Sequence, residues 1–377
     1  MQSAPERPPV GPQAFLSLDD ESAQAQAAIL LGIGAQMRGD RQKVEARSAA
    51  VAHPTDVLLA DDLAEFPIPR LAPAAKRYAF ETMDDRTRAR FGVSVRAAAE
   101  RPQTLADMAD EVYARRSNSA AAVLAEASLR SEHPLVRVAA AHAVLPVTAN
   151  PIEPLEVLAS HTGDPDELVR EVAATALGRY MPEHPALQRL IDYGEQSYLD
   201  TPPETSMLIH GTWARNSSWY QPPNGNFWRY AQTSVWPDLY AQPDFYRWSG
   251  GYSDGARALA ANQLAQWITT KNENGLSLMS HSHGGSVAML ASWRGVQYDR
   301  LVLLSCPVHP AKYSANFSAI NKVVSVRVRM DLVLLVDGSG SRFTDPRYNE
   351  HVLPIWFNHS AIHDPAVWTR YNVPAML

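Results

Sequence analysis

Ser282 stands in a setting that can turn a hydroxyl into a nucleophile. It lies within Leu276-Ser277-Leu278-Met279-Ser280-His281-Ser282-His283-Gly284-Gly285-Ser286-Val287-Ala288-Met289-Leu290, which reads as an apolar strand, a tight turn of small residues and the start of a helix. Such a turn holds its serine in a strained conformation at the carboxyl edge of a sheet, where the following helix N-terminus favours negative charge. The residues two before and two after must be small so that strand and helix can approach, and Ser280 and Gly284 meet that need. A serine hydroxyl is a poor nucleophile alone, so it calls for a general base and a carboxylate that orients the base. Downstream, the apolar run Val323 to Arg329 leads straight into Met330-Asp331-Leu332-Val333, which places Asp331 at a strand's carboxyl end. Asp337 follows six residues later in a Gly-Ser loop, and His351, His359 and His363 supply the imidazoles.

The run His281-Ser282-His283-Gly284-Gly285 resembles the His-Ser-x-Gly-Gly elbow of the α/β-hydrolase esterases and lipases, with Ser280 where that family usually has glycine. The resemblance implies an α/β fold with a mostly parallel central sheet, and a triad in the order serine, acid, histidine. On that order Asp331 is the expected acid, with Asp337 as its rival. His359 is the expected base, because Trp356 to Trp368 resembles the family's catalytic loop, a histidine soon after the last strand and just before a helix starting at Asp364-Pro365. His363 reads as part of that helix's cap, and His351 as preceding the last strand.

The oxyanion formed during attack requires preorganised N–H donors. One is expected from the backbone of His283. The second is expected from the backbone of Thr212, with Trp213 as the alternative, since His210-Gly211-Thr212-Trp213 after the strand Met207 to Ile209 resembles the family's His-Gly-x oxyanion segment. Gly211 then lies against the substrate. From His210 to Gly250 the chain is crowded with aromatic residues, and Trp213, Trp219 and Trp228 are candidate walls of an apolar acyl or alcohol pocket; packing of the loop onto the core is the alternative. The implied activity is hydrolysis of a small-molecule or lipid carboxylic ester through an acyl-enzyme, as in a carboxylesterase or triacylglycerol lipase, with no cofactor. Thioesterase, amidase or peptidase and lysophospholipase chemistry share the same triad. Epoxide hydrolases and haloalkane dehalogenases are excluded, since in this fold they use an aspartate where Ser282 stands.

The elements that must position these residues fall into two textures. Residues 1–13 carry four prolines and little to bury, and are expected to be a flexible lead-in. Residues 14–200 are rich in Ala, Leu, Glu and Arg at helical spacing. Within them Leu135 to Ala141 matches Leu168 to Ala174 at an offset of 33 residues, a unit of helix, polar turn and helix that resembles a HEAT-like α-solenoid repeat. Such repeats offer a surface for a protein partner or for self-association, and a binding or scaffold role with a vestigial hydrolase half is the rival function. From residue 201 to 377, short apolar runs alternate with helical stretches. Strands are expected at 207–209, 245–248, 276–280, 301–304, 323–329 and 352–357, helices at 254–270, 284–293 and 364–370, and the whole as three layers.

Composition removes other classes. The net charge of −6 offers no field for nucleic acid. The longest apolar run, Ala27 to Ala35, is too short to span a bilayer, and no leader-like segment opens the chain, so a cytoplasmic location is expected. The one cysteine, Cys306, reads as a packed thiol. His281 and His283 flank a serine elbow without a third metal ligand in reach, and Asp337 to Ser341 departs from a calcium loop at Arg342 and Tyr348, so no metal is expected.

Overall fold

The structure is a computed structural model that describes residues 20–37, 125–126, 128–146, 148, 150–192, 206–271, 275–339 and 342–377. The expected lead-in at 1–13, most of 14–130 and the boundary near residue 200 lie outside the described residues. The chain divides into two compact units, one of Met1–Tyr180 with Leu335–Asp337 and one of Met181–Leu334 with Gly338–Leu377.

The first unit is helical: α1 (Asp20–Met37), α2 (Pro134–Val144), α3 (Ile152–Ser160) and α4 (Glu167–Tyr180). Alanine-rich faces let these helices come close; a Cβ added at Gly34 of α1 would stand 2.7 Å from the Ala143 Cα of α2. The 33-residue repetition is visible as local structure. Arg137 of α2 donates from Nη1 to the carbonyls of Ser131 and Glu132, at 2.8 Å each. Arg170, at the matched position of α4, donates from Nη1 to Asp164 O at 2.6 Å. In both cases an arginine in the first turns of a helix ties off the carbonyls of the turn before it.

The second unit holds α5 (Pro185–Gln188), β1 (Ser206–Ile209), α6 (Asn226–Ser234), α7 (Asp254–Lys271), β2 (Leu276–His281), α8 (His283–Ser292), β3 (Tyr298–Leu304) and β4 (Ile320–Arg329). The helix α9 (Leu332–Asp337) begins in it, and β5 (Tyr348–Trp356) and α10 (Pro365–Arg370) follow, with 3-10 turns at His359–His363 and Val373–Met376. The five strands form one sheet in the order β1-β2-β3-β4-β5, and every neighbouring pair is parallel. Both faces are covered, which is why the strands read as near-continuous apolar runs. Met207, Ile209, Leu278, Leu301 and Leu303 pack with Ala260, Leu264 and Trp267 of α7 and Val287 and Ala288 of α8. Alternate residues Leu208, Met279, Val302, Leu304, Val324 and Val326 pack with Phe227, Trp228 and Ala231 of α6, Ile362, and Trp368 of α10. The result is an α/β unit of three layers. Among the described residues no helix is long and apolar enough to cross a membrane.

Four expectations of local structure change. Phe245 to Trp248 forms no strand; Tyr246 and Trp248 instead send buried polar tips to the carbonyls of Ala260 (2.6 Å) and His210 (2.8 Å), so their apolar signal reflects burial rather than sheet pairing. The aromatic stretch contains the unforeseen helix α6, whose inward face is Phe227, Trp228 and Ala231. Asp337 closes α9 rather than sitting in a loop. His351 lies within β5, not ahead of it.

Candidate active site

Parallel strands deliver their carboxyl ends to one edge, where turns are free to carry chemistry. The residue that follows each of β2, β3, β4 and β5 has a positive φ although none is glycine: Ser282 (52°), Ser305 (43°), Met330 (45°) and Phe357 (69°). Each such residue costs of order 1 kcal/mol, so strain is gathered along the edge that carries the candidate residues. Hydrogen bonds hold the turns in place: Ser282 N donates to Leu304 O at 2.8 Å, Ser305 N to Val326 O at 2.9 Å, and Phe357 N to Arg329 O at 2.9 Å.

Ser282 forms the join between β2 and α8, with φ 52° and ψ −135°. The small residues around it are small because of what they touch. Ser280 is fully buried and donates from Oγ to Val302 O at 3.2 Å. A Cβ on Gly284 would stand 2.5 Å from His210 O, and one on Gly285 2.5 Å from Cys306 Sγ. Serine at 280 in place of glycine therefore fits by turning its hydroxyl into the β3 ladder.

Asp331 and His359 meet. His359 Nδ1 lies 2.7 Å from Asp331 Oδ2, and both side chains are almost wholly buried. The other carboxylate oxygen, Oδ1, accepts from the N–H groups of Val333 (3.0 Å) and Leu334 (3.3 Å) at the start of α9, so the acid is oriented from both sides. His359 is placed by Asn358, whose Oδ1 accepts from Ser360 N and Ala361 N and starts the 3-10 turn. Donation by Nδ1–H to the carboxylate selects the tautomer with its lone pair on Nε2, the atom a general base uses. The structure gives Asp331, not Asp337, this partner.

The loop after β1 lies against Ser282. A Cβ on Gly211 would come 2.7 Å from Ser282 Cβ. Trp213 N donates to Gly250 O at 3.0 Å, whereas Thr212 N donates to no carbonyl among the described residues. Of the two expected donors, Thr212 is thus the one whose amide meets no carbonyl there, and its Oγ1 is buried with no partner among the described residues. His283 occupies the first position of α8, where backbone N–H groups have no partner within the helix, and its ring Nδ1 sits 3.0 Å from Ser286 Oγ.

The three candidate tryptophans part ways. Trp219 is buried, stacked on His363 at 4.3 Å and edge-on to His281 at 5.5 Å. Trp213 is half-buried and stacked on Tyr252 at 6.1 Å. Trp228 is buried in the layer of α6 and donates from Nε1 to Tyr240 O at 3.1 Å, so it packs the loop.

Buried histidines cluster beside His359. The His281 ring is 4.6 Å from that of His359 and 4.9 Å from that of His363. Burial, then the nearby His359, His363 and His210, holds His281 well below the ordinary imidazole range. Burial and then His359 push His363 down to about 3; burial pushes His210 down to about 3 as well. His363 is thus no surface cap, and Asp364 caps α10 by accepting from Ala366 N at 2.8 Å. Nothing in the local run marks His363 as buried, because the ring that covers it comes from Trp219, far away in sequence.

These depressed values fix a sign. A histidine with a folded pKa near 3 and an unfolded one near 6.5 adds stability that is present above pH 6.5 and is lost as pH falls from there towards 3. Between pH 7 and pH 5, protonation of unfolded His363 lowers the unfolding free energy by about 2 kcal/mol. Urea denaturation at the two pH values should show His363→Phe losing about that much of the wild-type pH dependence. An unchanged slope would mean that His363 is charged in the folded state.

No protein-family model matches the chain, and no curated protein or solved structure matches it either.

Proposed function

We propose that this chain is a serine hydrolase of the α/β-hydrolase type that cleaves carboxylic esters through an acyl-enzyme. The observation that carries the reading is the 2.7 Å contact between His359 Nδ1 and Asp331 Oδ2 at the sheet edge where Ser282 sits at a strained strand-to-helix turn. The order of the strands supports it: the serine follows β2, the acid β4 and the histidine β5, with the Gly211 loop of β1 against the serine.

In this reading Ser282 Oγ attacks the ester carbonyl while His359 Nε2 takes its proton. Asp331 holds the imidazole in the required tautomer and stabilises the imidazolium that forms. The carbonyl oxygen becomes an anion, received by the N–H groups of Thr212 and His283. Return of the proton from His359 to the alkoxide releases the alcohol and leaves the acyl group on Ser282. Water then repeats the sequence, with His359 again as base, and frees the acid. The depressed neighbours His281 and His363 stay neutral through the cycle, so they do not compete as charges with the imidazolium of His359.

A fluorophosphonate probe and a series of 4-nitrophenyl esters from acetate to laurate test the reading together. The expected result is ester cleavage that stops when one probe molecule is attached per chain, with the adduct on the peptide containing Ser282. Cleavage at the buffer rate for every ester, with no adduct at Ser282, would refute it.

A further inference from the structure

Beside the nucleophile turn lies a buried cation that the ester reading does not use. Arg257, in the first turns of α7, has a side chain only 5% exposed. Its Nη1 donates to Tyr313 Oη at 3.0 Å and to Asp254 Oδ1 at 3.2 Å. Its Nε and Nη2 are buried and have no hydrogen-bond partner among the described residues. The guanidinium carbon lies 5.0 Å from the centre of the Tyr252 ring and 5.6 Å from that of Tyr313.

The local charges do not cancel. Asp254 is the acid that Arg257 meets, and it is shared: Lys312 Nζ donates to Oδ2 at 2.7 Å, and Tyr313 Oη to Oδ1 at 2.5 Å. Partial burial pushes the Asp254 carboxyl up, but these two hydrogen bonds and the charges of Lys312 and Arg257 outweigh it, so the group stays ionised. Burial raises the Tyr313 phenol to about 12, which keeps it a donor. Two cations therefore face one carboxylate, and Arg257 also sits near the helix end that already favours anions. A buried guanidinium with two unpartnered N–H groups is costly unless an anion completes it.

The unpartnered groups define the anion's shape. Nε–H and Nη2–H point in parallel along one edge of the guanidinium, the fork that a carboxylate accepts through both oxygens. The surrounding rings connect this edge to the chemistry. Tyr252 meets the His283 ring at 6.1 Å and Tyr313 meets it at 6.2 Å, and His283 directly follows Ser282. On its other side Tyr252 stacks on Trp213 of the oxyanion loop.

We infer that Arg257, walled by Tyr252, Tyr313 and His283, is a subsite for a carboxylate carried by the substrate, so that the preferred esters are half-esters of dicarboxylic acids or esters of carboxylated alcohols. The inference rests on the ester-hydrolase reading for its substrate and on Arg257 for its charge. A bidentate charge-assisted pair favours the anionic substrate by about tenfold to a hundredfold over a neutral one of equal length.

The test compares kcat/KM for mono-4-nitrophenyl esters of succinate, glutarate, adipate and suberate with neutral 4-nitrophenyl alkanoates of matching length. A second arm uses the butyrate ester of 4-hydroxybenzoate against phenyl butyrate. Wild type should prefer the anionic member in at least one arm, at one favoured chain length if it is the acyl arm. Arg257→Met should bring that ratio to about one, and Arg257→Lys should keep part of it. A ratio near one in wild type for every pair would overturn the subsite while leaving ester hydrolysis intact. If no ester is cleaved faster than by Ser282→Ala, the hydrolase reading fails instead, and calorimetry with free glutarate reads the site alone. Saturable binding in wild type that Arg257→Met abolishes would uphold the carboxylate site; no binding would end it.

Discussion

Alanine in place of Ser282 should lower kcat for a 4-nitrophenyl ester by about ten-thousandfold to a millionfold, the range seen when a triad nucleophile is removed. What remains would come from the oxyanion donors and from binding, which do not need the hydroxyl. The change deletes one oxygen from a residue whose backbone is held by the Ser282 N to Leu304 O bond, so the turn should persist. Alanine at φ 52° carries the same steric cost as serine, and the denaturation midpoint should move little. Comparison of kcat, KM and midpoint in one preparation separates the two possibilities. A loss of activity that tracked unfolding would remove the support for Ser282 as nucleophile.

Asp331→Asn should cost about ten-thousandfold in kcat, because the amide changes which proton His359 carries. Its side-chain oxygen is still able to accept from Val333 N and Leu334 N, the contacts that start α9. The other position, now an NH2 group, faces His359 Nδ1 and demands a lone pair there. The imidazole then holds its proton on Nε2 and cannot accept one from serine. Asp337→Asn should leave kcat within about twofold, since Asp331 already holds His359 Nδ1. The opposite ranking, with Asp337→Asn the more damaging, would transfer the role of acid.

Much of this edge was legible because its signals are local. The strand, the small-residue turn and the helix around Ser282 occupy one short run, and Asp331 and His359 sit two and three residues beyond a strand. Burial of a whole strand also speaks through consecutive apolar residues. What escaped was whatever depends on distant partners. Phe245 to Trp248 carries a strand's composition, yet Trp248 is spent on holding His210 in place. His363 reads as part of a helix cap, because the Trp219 ring that covers it is remote in sequence. Arg257 reads as an ordinary helix charge until Tyr252, Tyr313 and Asp254 close around it. The bond that occupies the Trp213 amide, Trp213 N to Gly250 O, is likewise one that only folding brings about, although Thr212 was already the expected donor.

The close approach of Gly211 to the Cβ of Ser282 restricts what evolution can do at this position. A threonine there would set a methyl branch on the very carbon that the Gly211 loop abuts, and would place a β-branched residue at φ 52°, a conformation such residues avoid. Cysteine adds no branch and demands no new backbone. Of the hydroxyl and thiol side chains that could stand in for the serine, cysteine therefore fits this turn and threonine does not.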